Sequence, residues 1–151
     1  MKEEPRIRDI AERFSFLSVY LFGSQAEQGM SYLQGEPIEQ SAYSDLDIAV
    51  TFKTCPTSPI GVYGKIYLEI SKLFEPFVLD LVFMHEVSSL FQYEIIKGIK
   101  IYTCDERLAD EFEERIMKQA EDLLFKQKVF DREVMEAIKD GYIEFEYHPH
   151  S

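Results

Sequence analysis

The chain reads as an α+β domain in which a small mixed sheet is flanked by helices and followed by a long C-terminal helix. Three observations predict this. Short apolar runs of strand-like composition alternate with segments whose apolar residues recur at helical spacing. Glycines and prolines punctuate the junctions between them. From Asp105 to Asp140 the apolar positions then keep a helical period. At 151 residues the chain suits one domain, able to bury about two-thirds of its unfolded surface.

Ile7, Ile10, Ala11 and Phe14 stand at i, i+3, i+4 and i+7, which predicts a short amphipathic helix leading into a strand, Val19–Phe22. Gly23-Ser24 ends that strand, and Ser24 is a candidate N-cap for the helical turn after it. From Gln25 to Ser44 the chain is polar, with Gly29, Gly35 and Pro37 as punctuation, and reads as a short helical turn plus a long loop. Leu46–Phe52 is the second strand. After the connection Cys55–Pro59, the residues Tyr63, Ile66, Tyr67, Ile70 and Phe74 mark a second helix, which Pro76 stops. Phe77–Phe83 is apolar on both faces, as expected for the middle of a sheet.

A helix from about Val87 carries Leu90, Phe91 and Ile95, and Gly98 falls where a C′ glycine belongs. Ile99–Cys104 is the last strand. Leu108, Phe112, Ile116, Ala120, Leu123, Phe130, Val134 and Ile138 then mark one long helix, or two meeting near Phe130 and Asp131. Its length exceeds what a small sheet can cover, so the far end either meets a partner or packs back on the domain. Tyr142 to Tyr147 alternates apolar and acidic residues, as an edge strand or docking segment does, and His148 and His150 read as a solvated tail. Residues 1–104 are therefore expected to form the core and 105–151 a C-terminal extension of the same domain.

The net charge of −12 argues against a surface built for long polyanions, so RNA or DNA is not expected as a direct substrate. A nucleoside triphosphate differs, because it arrives with Mg²⁺ and needs only local cations and backbone donors. The acidity also suits docking on a basic protein partner. Cys55 and Cys104 lack metal-ligand spacing and read as reduced thiols. Met-Lys-Glu-Glu-Pro has no apolar core of a leader, and no apolar run reaches the ~20 residues that span a bilayer. The expectation is a soluble cytoplasmic protein that does not enter a membrane.

Carboxylates interrupt two of the strand-like runs. In Tyr43-Ser44-Asp45-Leu46-Asp47-Ile48-Ala49-Val50 the two aspartates project to one face, about 6.6 Å apart, while Leu46, Ile48 and Val50 take the other. Nine aspartates in 151 residues give roughly 0.5 such pairs by chance, so the pair alone is a weak signal. Asp80 strengthens it, being centred in the apolar run Phe77 to Phe83, where an uncompensated carboxylate costs several kcal/mol. Gathered carboxylates repel, and divalent cations relieve that repulsion. Gly23 permits close approach of backbone to a phosphate, and the Ser24 hydroxyl and following N–H groups donate to phosphate oxygens. The set reads as a metal-dependent nucleotidyl-transfer site.

Gly23-Ser24, then Ser44-Asp45-Leu46-Asp47, then Leu79-Asp80-Leu81-Val82 resemble the minimal nucleotidyltransferases of the DNA polymerase beta superfamily. The stretch from Phe91 to Tyr102 is similar to the segment after the third carboxylate in the MNT-type antitoxins, which are paired with HEPN-domain RNase toxins. The resemblance covers about Val19 to Phe130. It implies a nucleotidyltransferase fold, with Asp45 and Asp47 holding Mg²⁺ on the triphosphate of ATP and Gly23, Ser24 and Gln25 on the phosphates. Asp80 would complete a second metal site and take the proton from the incoming hydroxyl. The implied acceptor is a tyrosine of the partner HEPN toxin, which is AMPylated and silenced.

Two features depart from the family pattern. Glu27 stands where an arginine is expected, and twenty residues separate Ser24 from Asp45, about twice the usual spacing. The insertion, about Gln28 to Tyr43, is expected to be a loop or hairpin beside the site. Two rivals share parts of this reading. One is a small-molecule nucleotidyltransferase of the antibiotic-modifying kind; the other is a non-catalytic antitoxin that occludes its toxin with the long helix and acidic surface.

Overall fold

The computed structural model describes residues 5–38 and 45–141. Helix α1 (Pro5–Phe14) leads into strand β1 (Phe16–Phe22), followed by α2 (Ala26–Leu33), β2 (Asp45–Phe52), α3 (Pro59–Leu73), β3 (Val78–Phe83), α4 (Ser89–Ile96), β4 (Ile99–Thr103) and α5 (Glu106–Lys139). The four strands form one sheet in the order β3-β2-β1-β4. β1 pairs antiparallel with both β2 and β4, and β2 pairs parallel with β3, whose crossover is α3.

Every residue of β1 is buried, as a strand covered on both faces requires. A large cluster joins Ile7 and Ile10 of α1, Ala26 of α2 and Ile66 and Ile70 of α3 to one face, where Leu21, Leu46, Ile48, Leu79 and Leu81 point. A smaller cluster on the other face joins Ile95 of α4 and Ile116 of α5 to Tyr20, Phe22 and Ala49. Asp45, Asp47 and Asp80 share this second face with Ala49, beyond the part that the helices cover.

Several expectations need correction. β3 is an edge strand, with Val78 56% exposed, and it reads as central only because its other face fills the main cluster. Its free edge is partly closed by α3, from which the Tyr63 hydroxyl donates to the Leu81 carbonyl at 2.7 Å. The predicted helical turn after Ser24 is a helix of eight residues, so the first part of the expected loop or hairpin, Gln28–Leu33, is helical. Gly29 does not break α2, because it faces Leu46 where a Cβ would sit only 2.7 Å from the leucine Cδ1. Gly98 ends α4 without a positive φ; its need is space, since a Cβ there would overlap the Leu21 carbonyl oxygen. The remaining insertion residues 39–43, the tail Tyr142–Tyr147, and His148 and His150 lie outside the described residues.

The long C-terminal element is one uninterrupted helix of 34 residues, about 51 Å long. Asp105 caps it, its carboxylate accepting from the Leu108 N–H at 3.1 Å. Ala109, Ile116 and Ala120 are buried along its first half, and Glu113 accepts from both the Tyr20 hydroxyl and Lys100 Nζ at 2.9 Å. Beyond them Leu123, Leu124 and Phe125 are exposed. Among the described residues both cysteines are free, and no helix is long and apolar enough to cross a membrane.

Candidate active site

All four strands present an end at one edge of the sheet. β1 finishes there at Phe22, opposite Asp47, while β2 begins at Asp45, β3 at Val78 and β4 at Ile99, opposite Leu21. Asp47 and Asp80 are direct neighbours in the parallel register. The three aspartates thus come to one wet end of the sheet because side chains on a strand alternate faces, leaving Leu46, Ile48, Leu79 and Leu81 to the dry side.

Asp80 is exposed, contrary to the apolar setting expected for it. Its sequence neighbours point to the opposite face, so an apolar run around a residue does not make its surroundings apolar. The confined member is Asp47, which is half-buried with one carboxylate oxygen in the space that a side chain at Gly23 would fill. Partial burial pushes the Asp47 carboxyl above its usual range, reinforced by the charge of Asp80, a carboxyl–carboxylate hydrogen bond with Asp80, and the charge of Asp45. Every charged group that perturbs it is acidic. Tyr63 is also raised, first by burial and then by the nearby Asp80.

Gly23 adopts φ +76°, a left-handed conformation in which a side chain would overlap Asp47 Oδ2. One glycine thereby turns the chain out of β1 and makes room for the carboxylate. Ser24 is exposed, and it does not cap α2: Gln25 holds the N-cap position and makes no side-chain capping bond. The first-turn N–H groups of α2 are therefore not taken by a cap side chain. Gln25 turns its amide oxygen inward, where it is buried with no partner among the described residues.

Gly23 and Ser24 open onto a groove of about 340 Å³, whose other walls are Ala26, Glu27, Glu94, Lys97, Gly98 and Ile99. Glu27 is exposed and stands in this groove. Lys97 bonds Glu94 at 2.8 Å and lies over the Tyr93 ring at 4.7 Å, and the Glu94 bond holds the ammonium above its usual range. Lys97 was not visible as a site residue in the sequence. It reaches the groove only through the antiparallel pairing of β4 with β1, which brings the end of α4 beside Gly23-Ser24.

Among the described residues no three side chains converge as a ready-made metal cage. The donor set nevertheless suits a hard divalent cation. It offers oxygen ligands only, in an acidic cluster without a compensating cation on Asp47. Mg²⁺ characteristically takes one or two carboxylates and completes its shell with water and substrate phosphates, so a closed cage is not required.

Carboxylates on adjacent strands thus face a glycine-serine turn at a helix N-terminus. The chain belongs to the polymerase beta nucleotidyltransferase family, which it matches over residues 6–107. It is similar in fold to a chain of a toxin-antitoxin complex with AMP-PNP, at 19% identity and TM-score 0.60 over 89% of this chain and 99% of that one. A mutant MntA-HepT toxin-antitoxin complex, in which two aspartates two positions apart are changed to glutamate, matches at 16% identity and TM-score 0.62 over 89% and 99%. A third similar structure is a tri-AMPylated HEPN toxin with its MNT antitoxin from Shewanella oneidensis, at 16% identity and TM-score 0.59 over 87% and 95%. No curated protein sequence matches this chain.

Proposed function

We propose that this protein is a cytoplasmic antitoxin that transfers AMP from MgATP to a tyrosine hydroxyl of a cognate HEPN-type RNase toxin, and so neutralises it. The observation that carries the reading is the register of Asp47 with Asp80, beside Asp45 and against the Gly23 turn. Support for the donor and acceptor comes from the similar structures, one with AMP-PNP and one with an AMPylated HEPN toxin.

Asp45 and Asp47 would hold Mg²⁺ on the triphosphate, with Asp80 completing a second site. The metal supplies charge neutralisation at the reacting phosphate. Gly23 brings backbone close to the phosphate chain, and Ser24 with the first N–H groups of α2 donates to its oxygens. The tyrosine oxygen attacks the α-phosphorus, a new O–P bond forms and pyrophosphate leaves. Asp80, which is exposed, would accept the phenolic proton. Residues 1–104 carry this chemistry, and 105–151 hold the partner through the exposed stretch of α5 around Leu123, Leu124 and Phe125.

The test is to incubate the protein with the product of its neighbouring gene, Mg²⁺ and labelled ATP. Label is expected on a partner tyrosine and absent with Asp45→Asn/Asp47→Asn. A stable complex without label would replace transfer by occlusion. Label on an aminoglycoside-like alcohol with none on protein would make the enzyme a small-molecule nucleotidyltransferase.

A further inference from the structure

Lys97 lies at the same end of the sheet as the carboxylates, on the far side of the glycine-serine turn. The strand order puts Asp80, Asp47, Gly23 and Gly98 in a row, because β1 ends opposite Asp47 and β4 starts opposite Leu21. At about 4.8 Å per strand, the row from Asp47 to β4 spans roughly 10 Å. A triphosphate and an extended lysine side chain together cover that length. The groove at the Gly23–Gly98 end of the row has one cation among its described lining residues, Lys97, and two acids, Glu27 and Glu94.

The Lys97–Glu94 bond is a poor competitor for a phosphate. Its side chains are 50% and 66% exposed, and an exposed pair of this kind is held only weakly against solvent. Tyr93 orients the ammonium without consuming its charge. Glu27, on the opposite wall, offers a phosphate nothing but repulsion, so compensation of charge at this end falls to Lys97.

We infer that Lys97 binds the outermost phosphates of a nucleoside triphosphate, exchanging Glu94 for phosphate oxygens, an inference that rests on the nucleotidyl-transfer reading above. Lys97 is then a binding residue for the departing pyrophosphate and makes no contact with the α-phosphorus. It distinguishes triphosphate from monophosphate, and its return to Glu94 accompanies product release.

Isothermal titration of the full chain with MgATP and with MgAMP tests this in the wild type, Lys97→Gln, Lys97→Arg and Glu94→Gln. Lys97→Gln is expected to weaken MgATP binding about tenfold while leaving MgAMP unchanged, with an unaltered melting temperature because Lys97 is exposed. Lys97→Arg should retain MgATP binding, and Glu94→Gln should tighten it by freeing the ammonium. Equal MgATP affinity in wild type and Lys97→Gln, or an equal loss for MgATP and MgAMP, overturns the role of Lys97 and leaves the nucleotidyl-transfer reading standing. A wild type that binds no MgATP at all overturns both.

Discussion

Replacing Gly23 by alanine separates backbone conformation from site geometry, because Gly35 supplies an internal control. Both glycines are left-handed, at φ +76° and +80°. An alanine Cβ at Gly35 meets nothing within 4 Å, whereas at Gly23 it overlaps Asp47 Oδ2. A left-handed alanine costs about 1–2 kcal/mol, partly offset by the roughly 0.4–1 kcal/mol it takes from the unfolded chain's freedom. Each variant should therefore lose about 1 kcal/mol, a fall of about 2–4 °C in melting temperature for a chain of this size. The overlap itself adds little to that, since a carboxylate is the mobile end of a side chain and can swing away by about 1 Å. A displacement of that size at a reacting centre costs about 10²-fold in rate. Gly23→Ala should thus melt like Gly35→Ala but lose about a hundredfold in AMP transfer to the partner, while Gly35→Ala keeps its activity. Thermal melts and a labelled-ATP assay on both variants decide it. Equal activity in the two would refute the claim that Gly23 exists to seat Asp47.

Asp47→Asn should stabilise the metal-free protein. The Asp47 carboxyl is raised in the folded state, so the fold holds that proton more tightly than the unfolded chain does, and stability falls as pH rises through the raised value. A like charge one strand away contributes about 1 kcal/mol at a solvated site. In EDTA the asparagine variant should melt about 2–4 °C higher at pH 7.5, and the difference should vanish at about pH 3. Excess Mg²⁺ should raise only the wild type. Gly98→Ala, whose Cβ would overlap the Leu21 carbonyl, has no side chain to push aside and should lose about 2–3 kcal/mol in a denaturant melt as β4 separates from β1. Gly64→Ala is the counter-case: with nothing within 4 Å inside α3, it should gain about 0.5–1 kcal/mol. Tyr20→Phe should cost about 1 kcal/mol by removing the hydrogen bond to Glu113. In the wild type, burial and Glu113 keep the phenol from ionising in the usual alkaline range, which ultraviolet titration would reveal.

Periodicity exposed the helices and strands because burial acts on one residue at a time, and α1, α3 and α5 are each marked by the apolar stripe they bury. Position in the sheet was less visible. β3 has the composition of a central strand, yet only pairing places it at the edge, and the Tyr63 hydroxyl that partly closes that edge comes from another element. The length of α2 is hard to see in the sequence because Gly29 weakens a helix locally while serving contact with Leu46. The aspartate pair declared a shared face through simple alternation. The reason offered for Asp80 failed, since its apolar neighbours turn their backs on it, whereas the confinement of Asp47 depends on Gly23, twenty-four residues earlier. Lys97 had no local signal, because its place beside Gly23-Ser24 is a product of sheet order alone.

The placement of β1 has a consequence for synthesis. It is the first strand to be made, yet it belongs in the middle of the sheet with both edges paired. Its partner on one side begins at Asp45, but Thr103, which pairs with Ser18 on the other, is made eighty-five residues later. At about 5–20 residues per second that is a delay of about 4–17 s, during which a largely apolar strand has an open edge. The groove between Gly23 and Lys97 is formed by the same late pairing, so the nascent chain acquires that end of the site only when β4 has left the ribosome.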